Sequence, residues 1–189
     1  PRWATVVSST FADADADGFF EPNERLRLSL EIRNELAELS HAVVHVSPAP
    51  AAFSPEIIND SVVIGPMAHG QTITLAEDIL IDLPSDIPFN GELRLMITIT
   101  DSSRSVSRQM ITAVVNPTYR TIDVNYLATT VNSIGNIGYN DYPSNIQGVG
   151  LSYKGGPSLL FEGALMVGVQ PRDLPNVARG AQSEMKDTL

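Results

Sequence analysis

The stretch "RLRLSLEIRN", residues 25–34, sets Leu26, Leu28, Leu30 and Ile32 in alternation with Arg25, Arg27, Ser29, Glu31 and Arg33. Successive side chains of a strand point to opposite faces, so this order sorts the apolar set to one face of a half-buried strand. A helix would scatter the same residues around its circumference. Downstream the alternation returns in "ELRLMITIT", residues 92–100, with Leu93, Leu95, Ile97 and Ile99. It is looser in "HAVVHV", "SVVI", "TITLAEDILIDL" and "SRQMITAVV", and upstream in "WATVVSS". Pro and Gly clusters such as "SPAPAAFSP", "GPMAHG" and "LPSDIPFNG" punctuate the runs. Residues 1–116 therefore hold about seven strand candidates. The expected fold class is all-β, an antiparallel immunoglobulin-like β-sandwich, with a barrel as the other closure the pattern permits.

After Asn116-Pro117 the composition shifts toward Gly, Asn and Tyr. "IDVNYLATTV", "GVGLSYKGG" and "SLLFEGALMVGV" read as further strands, and "PRDLPNVARGAQSEMKDTL" as an irregular tail or short helix. So few strands give a thin core, and residues 117–189 are expected to be a partial second β domain or a β extension docked on the first.

Immediately before the deciding strand stands "DADADGFFEPNE", residues 13–24. Counted from Asp13, its carboxylates fall at positions 1, 3, 5, 9 and 12, with Gly18 at 6 and Phe20 at 8. That is the ligand spacing of an EF-hand calcium loop. Asp13, Asp15 and Asp17 supply one oxygen each, and Gly18 permits the sharp turn. The Phe19 carbonyl follows, Glu21 binds directly or through water, and Glu24 closes the shell with both oxygens, leaving Phe20 to be buried beneath. Two carboxylates about 4 Å apart repel by roughly 4 kcal/mol at an effective dielectric near 20, and a divalent cation reverses that sign. The plainer alternative is a solvated acidic turn. Strand patterns flank the loop on both sides, so it lacks the helix pair that a calcium sensor swings apart. Calcium is therefore expected to be structural, pinning the first turn and stiffening the approach of chain preceding Pro1.

Charge and composition narrow the function. The 189 residues carry a net charge of −10, which disfavours nucleic acid and anionic membrane surfaces. No apolar run approaches the ~20 residues of a membrane-spanning helix. With no cysteine there are no disulfides, thiolate metal sites or cysteine nucleophiles. The chain starts at Pro1 rather than Met and is expected to be a piece of a longer protein.

With these residues in view, "DADADGFFEPNERLRLSLEIRNELAELSHAVVHVSP" resembles the opening of immunoglobulin-like β-sandwich modules in secreted multidomain bacterial proteins. There a "DxDxDG" turn and a Pro-x-Glu precede an alternating strand, an Asn-containing turn and a Val-rich strand. "IGNIGYNDYPSNIQGVGLSYKGGPSLLFEGALMVG" is similar to regions further along such proteins. The resemblance implies an adhesion-type or peptidase-associated accessory module, secreted or at the cell surface, often downstream of a catalytic domain such as a subtilisin-like protease. Its implied partners are neighbouring domains of the same chain and a surface protein or glycan. Asn23 stands where that turn commonly has glycine, and Asn also accepts a left-handed backbone.

Other chemistry is thin. No Gly-x-Ser-x-Gly is present, and "DSSRS", residues 101–105, reads as a hairpin turn. His41 and His45 stand four residues apart on a strand, about 13 Å, too far for one zinc ion. The expected function is a non-catalytic, calcium-binding structural, adhesion or spacer module. The alternative is a carbohydrate-binding module whose sheet face is lined by tyrosines from among Tyr119, Tyr126, Tyr139, Tyr142 and Tyr153.

Overall fold

The computed structural model describes residues 2–76, 78–102, 104–132, 135, 137, 148–160, 163 and 164. Among them the protein is all-β, with every strand pair antiparallel. The strands are β1 (Ala4–Ala12), β2 (Arg25–Asn34), β3 (Leu39–Pro48), β4 (Glu56–Ile57), β5 (Ser61–Met67), β6 (Thr72–Thr74), β7 (Ile79–Asp82), β8 (Gly91–Asp101), β9 (Arg104–Val115), β10 (Tyr119–Val124), β11 (Leu127–Asn132) and β12 (Leu151–Tyr153). The chain divides into two compact units, Pro1–Pro117 and Thr118–Leu189.

In the first unit one sheet has the order β1-β2-β7-β4 with β6 also on β2, and the other has the order β5-β3-β8-β9. The alternation in β2 and β8 is the cause of the core. Leu26, Leu28, Leu30 and Ile32 are buried together with Leu93, Leu95, Ile97 and Ile99, and the two sets belong to one cluster drawn from both sheets. Fully burying each such side chain stabilises by about 1.5–3 kcal/mol relative to exposure.

The run "TITLAEDILIDL" is not one strand but two, both pairing with β2. Thr74 and Ile79 are five residues apart while their partners Glu31 and Leu28 are three apart, so two residues are extra on this side. An even insertion preserves the side-chain parity. Leu75, Ile79 and Ile81 consequently all remain buried, and Ile73 packs half-buried beside them. The two-residue β4 beside β7 has no signal in the sequence pattern.

Register also fixes the two ends of this unit. Ala4 pairs with Asn34 and Asp101 with Arg104 at one pole, while Ala12 pairs with Arg27 and Gly91 with Val115 at the other. The Arg2–Asp101 ion pair belongs to the first pole, and the hydrogen bond from the Asn116 amide to the Phe20 carbonyl, 2.6 Å, to the second. β1 therefore starts beside one pole and β9 ends at the opposite one, roughly 26 Å away along the strands.

In the second unit β10, β11 and β12 form a small sheet in that order. "IDVNYLATTV" is a hairpin rather than a single strand, because Asn125 takes a left-handed backbone, φ 57°, and turns the chain between Val124 and Leu127. "GVGLSYKGG" carries β12. The sequence-read tail from residue 171 onward and most of "SLLFEGALMVGV" lie outside the described residues.

Candidate metal centre

The acidic stretch joins β1 to β2 at the pole from which the chain leaves. Four outside contacts hold it there. Leu83 N–H donates to the Glu24 carbonyl at 2.8 Å, Asn23 N–H to the Pro84 carbonyl at 3.3 Å, and Asn116 N–H to the Phe20 carbonyl. Next to Glu24, Arg25 forms a two-pronged ion pair with Asp82, its cross-strand partner, at 2.6 and 2.7 Å. Phe20 is half-buried against the core, its ring 6.0 Å from that of Phe11. The expectation of a ring buried beneath the loop is thus met in part.

Inside the loop the three aspartates converge. Asp13, Asp15 and Asp17 each bring one carboxylate oxygen within 4.8 Å of the other two. Two ligands of a single calcium ion, each at about 2.4 Å, stand at most about 4.8 Å apart, a condition that each pair of these oxygens meets. Among the described residues this is the one group of three or more His, Asp or Glu side chains with such convergence. The donor set, hard carboxylate oxygens with no nitrogen or sulfur, fits a hard divalent cation.

Backbone amides organise the aspartates. Gly18 N–H donates to Asp13 Oδ2 at 2.7 Å, Asp17 N–H to Asp15 Oδ1 at 3.2 Å, and Phe19 N–H to Asp17 Oδ1 at 2.7 Å. Asp13 is the buried member of the three. The Gly18 amide holds its carboxyl below the usual carboxylate range, against the opposing pull of burial. Gly18 has φ 80°, as the spacing requires, and Asn23 has φ 65°, in the left-handed region that asparagine tolerates. Ala16 is also left-handed, φ 61°, which nothing in its residue type signals.

The other sequence-read ligands stand differently. Glu24 is not gathered with the aspartates. Its Oε1 accepts from Ala14 N–H at 2.9 Å and its Oε2 from Glu21 N–H at 3.0 Å, so it buckles the start of the loop to its end. The Glu21 side chain is exposed, while Glu21 O accepts from Glu24 N–H. Phe19 is half-buried.

Elsewhere, Ser61 Oγ donates to Asp60 Oδ1 at 3.0 Å and meets His45 Nδ1 at 2.9 Å. The serine stands between acid and imidazole, whereas a serine nucleophile needs the imidazole between serine and acid. His45 Nε2 faces Thr100 Oγ1 at 3.4 Å, not a carboxylate. The β8–β9 hairpin closes through the Asp101–Arg104 pair, where the sequence indicates a turn. A cleft of about 570 Å³ between the loops near Pro50 and Phe89 holds two charged residues, Glu92 and Arg94, which pair with each other.

Sequence reasoning missed two buried polar anchors. Asn34 donates from Nδ2 to the carbonyls of Ala37, Met67 and Ala68. Asp101, wholly buried, accepts from Ser40 and His41 and meets Arg2 Nη1 at 2.7 Å. The available signal was an Asn and an Asp ending otherwise alternating strands, which is weak without knowing the partner strands.

No protein-family model matches the chain, and no curated protein matches it at a significant level.

Proposed function

We propose that Pro1–Pro117 is a calcium-stabilised, immunoglobulin-like β-sandwich module of a secreted or cell-surface bacterial protein, serving as a spacer or adhesion element beside other domains and catalysing nothing itself. The observation that carries this reading is the convergence of the Asp13, Asp15 and Asp17 oxygens within 4.8 Å in a turn between two strands. The turn occupies the pole beside Asn116, where the chain leaves the unit. This replaces the expectation that the ion stiffens the approach before Pro1, because the loop lies at the other end of β1 from Ala4.

In this reading Asp13, Asp15 and Asp17 form one side of the shell, and the Phe19 carbonyl, Glu21 and Glu24 complete it. Carboxylate oxygens have two lone pairs each, so Glu24 can accept its amides and still face the ion. Calcium supplies positive charge that cancels the repulsion among the carboxylates. Magnesium fits less well, since it demands near-ideal octahedral geometry at about 2.0–2.1 Å. The serine-centred Asp60–Ser61–His45 chain and the self-paired charges of the cleft support a non-catalytic role.

Isothermal titration of chelator-treated protein tests the site. We expect one calcium ion bound per chain, and absence of calcium-dependent heat at millimolar calcium would sink it. Turnover of a peptide or glycoside panel, abolished by a single substitution, would overturn the non-catalytic assignment.

A further inference from the structure

The second unit's small sheet carries an apolar row that meets solvent. Its cross-strand registers place Val124, Leu127 and Tyr153 in one row across three strands, on one face. Those side chains are 58%, 51% and 49% exposed. On the other face Thr130 and Ser152 are buried, with the Thr130 hydroxyl bonded to Thr121 Oγ1 and the Val149 amide and that of Ser152 to the Gly156 carbonyl. The buried hydroxyls thus lie on one face, and the Val124–Leu127–Tyr153 row meets solvent on the other.

The turns after β10 and β12 add the chemistry that says what this face takes. Lys154 N–H donates to the Tyr126 carbonyl at 2.7 Å, which brings the two turns together. The Tyr126 and Tyr153 rings then stand 6.3 Å apart at 68°, forming a corner. Lys154 Nζ lies 4.9 Å from one ring centroid and 5.4 Å from the other. In a chain with 22 acidic and 12 basic residues, this ammonium has no carboxylate partner among the described residues. Asp123, three residues before Tyr126, pairs with Ala128 in the row of the opposite face.

We propose that the Tyr126–Tyr153–Lys154 corner, with Leu127 and Val124 beside it, binds an acidic glycan: the C–H face of a uronate sugar packs on tyrosine and leucine, and its carboxylate pairs with Lys154. Tyrosine offers a flat apolar face with a polar tip, which matches a sugar's mixed surface. An ammonium held between rings and lacking an acid is complementary to an anionic ligand. Among the described residues the three strands span roughly 10 Å, a face of a few hundred Å², the scale of a few sugar rings rather than of the ~800 Å² per partner of a standard protein interface. The inference uses residues of the second unit alone and stands independently of the calcium reading.

The test titrates the full chain, with EDTA present throughout, against polygalacturonate, alginate and hyaluronan, with methyl-esterified pectin and dextran as neutral controls. At least one acidic polymer should bind, with each neutral control at least tenfold weaker. Lys154→Gln and Tyr153→Ala should each weaken binding about tenfold with an unchanged melting curve for Lys154→Gln, which keeps the turn backbone. Three results overturn the proposal: no binding by any of the three acidic polymers at millimolar sugar, equal binding of the neutral ones, or full affinity in Lys154→Gln. Concentration-dependent self-association abolished by Tyr153→Ala would also overturn it, by assigning the face to a second copy.

Discussion

The Glu24 carboxylate spans the acidic loop to reach the Ala14 amide, Oε1 to N at 2.9 Å, ten residues back in the chain. Its second oxygen takes the Glu21 amide, so the residue that ends the loop also grips its beginning. Glu24 therefore has a structural role before any ion is considered. Glu24→Gln places an amide N–H₂ opposite one of these backbone N–H groups, and we expect a loss of about 1–2 kcal/mol even in chelator. Calcium binding should be lost as well, while Glu56→Gln, outside the loop, should change neither. Thermal melts with calcium and with chelator separate the two effects. Identical curves for wild type in both conditions and for Glu24→Gln would leave only an acidic turn.

If the ion binds only the folded chain, calcium at 100 times its dissociation constant adds about 2.7 kcal/mol of stability. Chelation should lower the melting temperature by several degrees and leave the circular dichroism of the strands nearly unchanged at room temperature. A melting temperature indifferent to calcium would contradict this.

Ala16 is held at φ 61°, where a β-carbon costs roughly 1–2 kcal/mol. Part of that is recovered by removing it, offset by the greater freedom of glycine in the unfolded chain. Ala16→Gly should thus stabilise the protein by up to about 1 kcal/mol, measured by denaturant unfolding. Clear destabilisation would show that the loop backbone is not strained there.

Asp101 is buried at the far pole and its carboxyl is held below the usual carboxylate range, first by the His41 amide, with Ser40 and Arg2 adding to it against desolvation. A folded-state pKa below the unfolded one contributes stability that is fully present above the unfolded value near 3.9 and is lost as pH falls through the folded value. Stability should therefore fall as the pH drops below about 4, and Asp101→Asn should flatten that slope. At neutral pH the same substitution should cost about 1–3 kcal/mol, because it disrupts buried hydrogen bonds. Chemical denaturation across pH 2–7 gives both numbers.

Asn34 ends β2 with its amide donating to three carbonyls from two separate turns, while its Oδ1 accepts from Leu36. Asn34→Leu removes all three bonds, the buried one to the Met67 carbonyl among them, and should destabilise by about 2–3 kcal/mol. An unchanged unfolding midpoint would mean that water replaces the amide there.

Much of the all-β character was legible in the chain, because alternation is a local property: the order of Leu26, Leu28, Leu30 and Ile32 already specifies which face is buried. The same holds for Leu93 to Ile99, and for the left-handed Asn23 and Gly18 of the acidic turn. The spacing of Asp13, Asp15 and Asp17 likewise foretold their convergence, since a tight turn brings alternate residues to one side. Pairing partners are a different matter, because they depend on contacts between residues far apart in sequence. Only the tertiary structure decided that β6 and β7 share β2 across a two-residue insertion, and that Asp101 meets Arg2. It alone set Glu24 on backbone amides in place of gathering it with the aspartates, because a carboxylate accepts whichever donors the folded loop brings within reach. The outward apolar face of the small sheet was equally hidden: alternation divides a strand into two faces, and what packs against each face determines which one meets water.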